Sequence, residues 1–135
     1  MMADRQHVLV VDDEPVLRMI LVDLLEGEGY AVEEASNAAE ALEVLQALPS
    51  IRIVVTDIQM PGSMDGLRLA RYIRDAYPPI ALIVSSGAIR PEQGALPDDA
   101  VFLSKPVDHR ELLRVIEDRL SAAGFLFQNK GLTTD

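Results

Sequence analysis

Short aliphatic runs alternate along the chain with longer stretches of helical period. The runs are Val8-Leu9-Val10-Val11, Tyr30 to Ala35, Ile51-Arg52-Ile53-Val54-Val55, Ile80-Ala81-Leu82-Ile83-Val84 and Val101-Phe102-Leu103. Runs this short, rich in β-branched residues and separated by helical segments, read as strands of repeated βα units around a parallel sheet. After the first run, Pro15 suits an early helix position where its missing N–H is harmless. Val16, Leu17, Ile20, Leu21, Leu24 and Leu25 then form one apolar stripe until Gly27 and Gly29 end the helix. Asn37-Ala38-Ala39-Glu40 reads as a capping box opening a helix with Ala41, Leu42, Leu45 and Leu48 inward, stopped by Pro49.

A third helix starts at about Gly66 with Leu67, Leu69, Ala70 and Ile73, and Pro78-Pro79 enforce extended backbone before the fourth strand. After Ser86-Gly87 the pattern weakens, because Pro91, Gly94 and Pro97 leave no room for an apolar stripe, so the fourth helix is short or irregular. The last unit opens on a second capping box, Asp108 with Glu111, and buries Leu112, Leu113, Val115, Ile116 and Leu120 up to about Ser121. Five such units with right-handed crossovers give an α/β, doubly wound, five-stranded parallel sheet with helices on both faces. Residues 1–123 form one domain and residues 124–135 a C-terminal tail, too short for an output domain.

Composition narrows the function. The 135 residues, 49 % apolar and 25 % charged, suit one soluble globular domain that folds alone. Twelve basic against 22 acidic residues leave a net charge of −10, which excludes direct nucleic-acid binding as an expectation. Without cysteine there are no disulfides and no thiolate zinc sites. No apolar stretch approaches the roughly 18 residues that span a bilayer, and residues 1–7 lack the apolar region of a signal peptide. No membrane association and a cytoplasmic location are expected.

The chemistry sits where the runs stop: at Asp12 and Asp13, at Asp57, at Ser86, and at Lys105 before Pro106. In a doubly wound fold the ligand crevice lies outside the carboxyl ends of the strands, so these side chains converge. Asp12, Asp13 and Asp57 suit magnesium, a hard cation that prefers oxygen ligands. A carboxylate can attack phosphorus to give an acyl phosphate once charge on the equatorial oxygens is neutralised. Lys105 would neutralise one side, and the Ser86 hydroxyl with N–H groups after Asp57 would bind the remaining oxygen. Strand alternation lets only one of Ser85 and Ser86 face the site, and Gly87 favours Ser86. His7 and His109, far apart and without companion ligands, read as surface residues.

The motifs Val10-Val11-Asp12-Asp13-Glu14, Asp57-Ile58-Gln59-Met60-Pro61-Gly62 with Met64-Asp65-Gly66, Ser85-Ser86-Gly87 and Phe102-Leu103-Ser104-Lys105-Pro106 resemble those of the receiver domain of two-component response regulators. The likeness is to the single-domain, chemotaxis-regulator-like form, covers about residues 5 to 121, and implies a flavodoxin-like sheet of strand order 2-1-3-4-5. It implies that Asp57 is the phosphoacceptor and that Asp12, Asp13, Asp57 and the Gln59 backbone carbonyl hold Mg2+. It also implies that Ser86 is the switch hydroxyl, that Lys105 contacts phosphate, that Phe102 turns inward when Ser86 moves, and that Lys105-Pro106 is cis. Gln59 and Ala88 match positions that tune dephosphorylation. From the residues alone, Phe102 reads equally well as a core aromatic.

Two departures stand out. Ser63 looks like an insertion between Gly62 and Met64, and the stretch from Ser86 to Lys105 is about one helical turn short. The resemblance implies a phosphoacceptor signalling protein that promotes only its own phosphorylation and dephosphorylation. Its partners would be a histidine kinase or histidine phosphotransfer protein and a downstream protein of unknown identity. A phosphate sink and a phosphorylation-independent interaction module are the alternatives on the same fold. A phosphohydrolase fits less well, since Gln59 stands where such enzymes place a second Asp. A flavin carrier fits poorly too, since Asp12-Asp13-Glu14-Pro15 would repel a phosphate. Phe125-Leu126-Phe127 either packs back on the domain or supports partner docking or a homodimer.

Overall fold

The computed structural model describes residues 6–59, 65–87, 91 and 94–122. Five strands, β1 (His7–Val11), β2 (Ala31–Ala35), β3 (Ile51–Asp57), β4 (Ala81–Ser86) and β5 (Val101–Ser104), pair in parallel in the order β2-β1-β3-β4-β5. Four helices lie among the described residues: α1 (Pro15–Gly27), α2 (Ala38–Ala47), α3 (Gly66–Ala76) and α4 (His109–Ala122). The doubly wound sheet is as the sequence pattern implies, and its strand order is as the resemblance implies. Between β4 and β5 no helix appears among the described residues, consistent with the proline and glycine spacing there. The Ser63 insertion, Ala88 and the Phe125-Leu126-Phe127 tail lie outside the described residues.

Alternation along each strand divides the core into two layers. On one face, Leu9, Val11, Val54, Leu82 and Val84 pack against Ala38, Ala41 and Leu45 of α2 and Leu69, Ala70 and Ile73 of α3. On the other, Val8, Val10, Ile53, Val55 and Ile83 pack against Leu25 of α1 and Leu112, Ile116 and Leu120 of α4. Both faces of the central strands are therefore dry, which suits runs such as Val8 to Val11 with no polar alternation.

Helix starts follow the capping chemistry with one variation. Asn37 accepts from the Glu40 N–H at 2.9 Å, but the Glu40 carboxylate answers at Ser36, accepting from its N–H at 2.7 Å and its hydroxyl at 2.8 Å. Those donors lower the Glu40 pKa, the Ser36 N–H most. A depressed carboxylate stabilises the fold above the ordinary glutamate range, and the contribution is lost as pH falls through the folded-state pKa. Glu40→Gln is therefore expected to lower the thermal midpoint slightly at neutral pH, with the difference from wild type shrinking in acid. A pH-independent difference in thermal melts would rule the charged cap out.

One apolar prediction fails at the crevice rim. Of the first helix's stripe only Leu25 is fully buried, while Val16, Leu17 and Ile20 stand 63 %, 38 % and 40 % exposed. Leu17 and Ile20 line a groove of about 420 Å³ that no side chain fills, between α1 and the turn into α4, together with Leu21, Pro106, Val107 and His109.

Candidate functional site

The winding direction reverses between β1 and β3, and the carboxyl ends of these strands carry the acidic residues. Asp12 follows β1 directly and is buried; its N–H donates to the Ala35 carbonyl at 3.1 Å and its Oδ1 accepts from the Glu14 N–H at 2.9 Å. Asp13 is half-buried beside it, and Asp57, buried, is the last residue of β3. One carboxylate oxygen from each of Asp12, Asp13 and Asp57 lies within 4.8 Å of the others.

Lys105 reaches in from the turn after β5. Its Nζ stands 3.0 Å from Asp57 Oδ2 and 3.4 Å from Asp12 Oδ2. The main chain around it is fixed, with the Lys105 N–H on the Ser86 carbonyl at 3.1 Å and a cis Lys105-Pro106 peptide. The Gln59 N–H donates to Asp57 Oδ1 at 3.2 Å, so the Gln59 main chain borders the acidic group while its side chain is exposed.

Burial pushes the Asp57 pKa up, against the opposing hydrogen bond and charge of Lys105 and the Gln59 N–H; the Asp12 charge adds to the rise. For Lys105, burial works downward but is outweighed by the Asp57 hydrogen bond and the charges of Asp12 and Asp57, leaving its pKa raised. The ammonium therefore stays charged while three carboxylates remain short of positive charge. An all-oxygen donor set with a residual negative charge fits a hard divalent cation. The donors present therefore fit Mg2+.

The two serines face opposite ways. Ser85, in register with Asp57, lines the groove with Asp12 and Lys105, on the α1 and α4 face. Ser86, which the sequence reading favours for the site, is buried at the end of β4 and does not line this groove; by strand alternation it follows Val84 rather than Ser85. Phe102, in register with Val84, is half-buried and packs against the core layer that Val84 shares with α2 and α3. His109 is exposed, as the sequence reading expects, and borders the groove. Sequence reasoning missed two contributors: Arg18 touches the Asp12 main chain, and Gly66 packs on the Asp57 main chain. For Gly66 the signal was present, since a glycine opening a helix just after a strand-end Asp marks close backbone approach.

Fold and site together define a flavodoxin-like α/β domain with a cation-competent acidic crevice at its switch point. The response regulator receiver domain model matches residues 8–117, and the chain belongs to that family. It is 38 % identical over 122 residues to the response regulator receiver protein CpdR of Brucella abortus, covering 87 % of this chain and 99 % of that protein. With the sensor kinase CckA of the same organism identity is 39 % over 117 residues, covering 84 % of this chain but only 12 % of that protein. A crystal structure of a response regulator receiver protein from Sinorhizobium medicae WSM419 superposes with a TM-score of 0.82 at 29 % identity, covering 89 % and 98 % of the two chains. The chain is thus a receiver domain of two-component signalling, a family of signalling phosphoacceptors. No helix among the described residues is long and apolar enough to cross a membrane.

Proposed function

We propose that this receiver accepts a phosphoryl group on Asp57 from a histidine kinase or histidine phosphotransfer protein, with Mg2+ bound by Asp12, Asp13, Asp57 and the Gln59 carbonyl. An Asp57 carboxylate oxygen attacks phosphorus, the P–N bond of the donor breaks, and its electron pair returns to the imidazole. The bound cation would supply charge neutralisation at the phosphoryl oxygens. Lys105 holds a second oxygen from the opposite side, and Ser86 and Phe102 carry the change to the surface of β4 and β5. The single observation that carries this reading is the convergence of three carboxylates with the Lys105 ammonium 3.0 Å from Asp57.

The donor partner is supported by the rim of the site. Val16, Met19 and Ile20 are exposed on α1 beside the groove, and an amphipathic helix carrying the phosphohistidine could lay its apolar face there. Output falls to contact with another protein in the cytoplasm, since a net charge of −10 disfavours nucleic acid as a direct target.

Wild-type protein incubated with Mg2+ and a small acyl phosphate or a phosphorylated kinase is expected to gain one phosphoryl group by intact mass. Its removal should restore the starting mass without turnover of other phosphate esters. An unchanged mass across several donors at millimolar Mg2+ would overturn the function.

A further inference from the structure

Arg18 occupies α1, yet its guanidinium turns back onto the sheet edge. Nη1 donates to the main-chain carbonyl of Asp12 at 2.7 Å, and Nε donates to Glu34 Oε1 on β2 at 2.9 Å. The side chain is only 18 % exposed despite its place on a surface helix. The carbonyl it grips belongs to the peptide unit that joins Asp12 to Asp13. Rotation of that plane would redirect both carboxylates, because each leaves the main chain on one side of it. The other bonds at this turn, Asp12 N–H to the Ala35 carbonyl and Glu14 N–H to Asp12 Oδ1, hold its two ends but not the carbonyl.

We propose that Arg18 is a positioning residue for the cation site: it fixes the Asp12–Asp13 peptide plane, with Glu34 holding the other edge of its guanidinium. The inference rests on the reading of Asp12, Asp13 and Asp57 as a divalent-cation site. A planar fork anchored at two points suits this role, because each of its N–H groups keeps a fixed direction. Its charge works the other way, since a cation beside the site repels a second cation. Glu34 offsets that charge at close range. The two roles therefore predict opposite signs. Removing a mere charge would tighten Mg2+ binding, whereas removing a strut loosens it.

Calorimetric titration of Mg2+ into wild type, Arg18→Met, Arg18→Lys, Glu34→Gln and Glu33→Gln tests the idea. Arg18→Met is expected to bind Mg2+ about tenfold more weakly, the usual scale for removing a group that orients a metal ligand. Arg18→Lys should lose at least as much, keeping the repelling charge without the fork. Glu34→Gln should bind more weakly than Glu33→Gln, which removes the same charge from β2 at a residue bonded to His7 instead. Should Arg18→Met fail to fold by circular dichroism, the lysine variant and the glutamate pair carry the test.

Mg2+ affinity in Arg18→Met equal to or above wild type, or a fall in metal-free thermal stability with affinity unchanged, overturns the positioning role alone. Absence of Mg2+ binding by the wild type overturns the cation site itself and this inference with it.

Discussion

Asp57→Asn is expected to take up no phosphoryl group from any donor, to remain folded, and to melt at a higher temperature than wild type in the absence of divalent cations. The first effect follows because an amide oxygen is not the anionic nucleophile that forms an acyl phosphate. The third follows from the site's electrostatics. Burial and the neighbouring Asp12 raise the Asp57 pKa despite Lys105, so at neutral pH the folded protein holds an ionised carboxylate that its surroundings disfavour. Asparagine has nearly the same shape and carries no charge to desolvate; its single oxygen keeps the bond to the Lys105 ammonium, while the one the Gln59 N–H makes to the other carboxylate oxygen is lost.

Mg2+ is expected to reverse that order. A ligand that binds only the folded state stabilises it by about 2.7 kcal/mol at a hundredfold excess over its dissociation constant. Wild type offers three carboxylates within 4.8 Å and Asp57→Asn offers two, so the cation raises the wild-type midpoint more. Differential scanning calorimetry with chelator and then with Mg2+ reads both halves of the prediction. If wild type is the more stable protein in chelator, the acidic cluster is not under the electrostatic load described here.

The elements that were legible in the sequence share one physical property: their signal is local. Val8 to Val11 and Leu82 to Val84 are buried on both faces and carry no polar residue that would obscure a strand. Asn37 and Asp108 announce helix starts through bonds made within one turn. The acidic cluster was legible for a related reason, because parallel strands bring their carboxyl ends to one edge whatever lies between them.

What escaped depends on contacts between segments distant in the chain. Arg18 reads as one more polar residue on a surface helix, and only the fold shows that it reaches β2 and the Asp12 carbonyl. Val16, Leu17 and Ile20 satisfy helical period, but period alone does not say whether a neighbouring element covers the helix along its whole length. Here α1 is covered at Leu25 and left open at the crevice, which puts apolar surface beside the acidic site, where the proposed phosphodonor would approach.

Gly66→Ala is expected to cost about 3 kcal/mol of stability, the upper end for forcing a methyl into a packed site. A Cβ at this position would collide with the Asp57 carbonyl oxygen and stand 2.7 Å from the Asp57 carbonyl carbon and 2.8 Å from Ile58 Cα. All three are main-chain atoms, so no side-chain rotation relieves the overlap. The Gly66 N–H also donates to the Ile58 carbonyl at 2.8 Å, tying the start of α3 to the end of β3. Whichever segment yields, the substitution either opens the core at Leu69 and Ile73 or displaces Asp57 from Lys105. Chemical denaturation should therefore show a large loss of stability, and Mg2+ affinity in the surviving folded protein should fall with it. Gly27→Ala supplies the control, since nothing lies within 4 Å of a Cβ there and the residue ends α1. That variant is expected to be neutral or to gain up to about 1 kcal/mol from helix propensity. Equal stability of the two variants would show that α3 does not rest on the Asp57 main chain as closely as the structure places it.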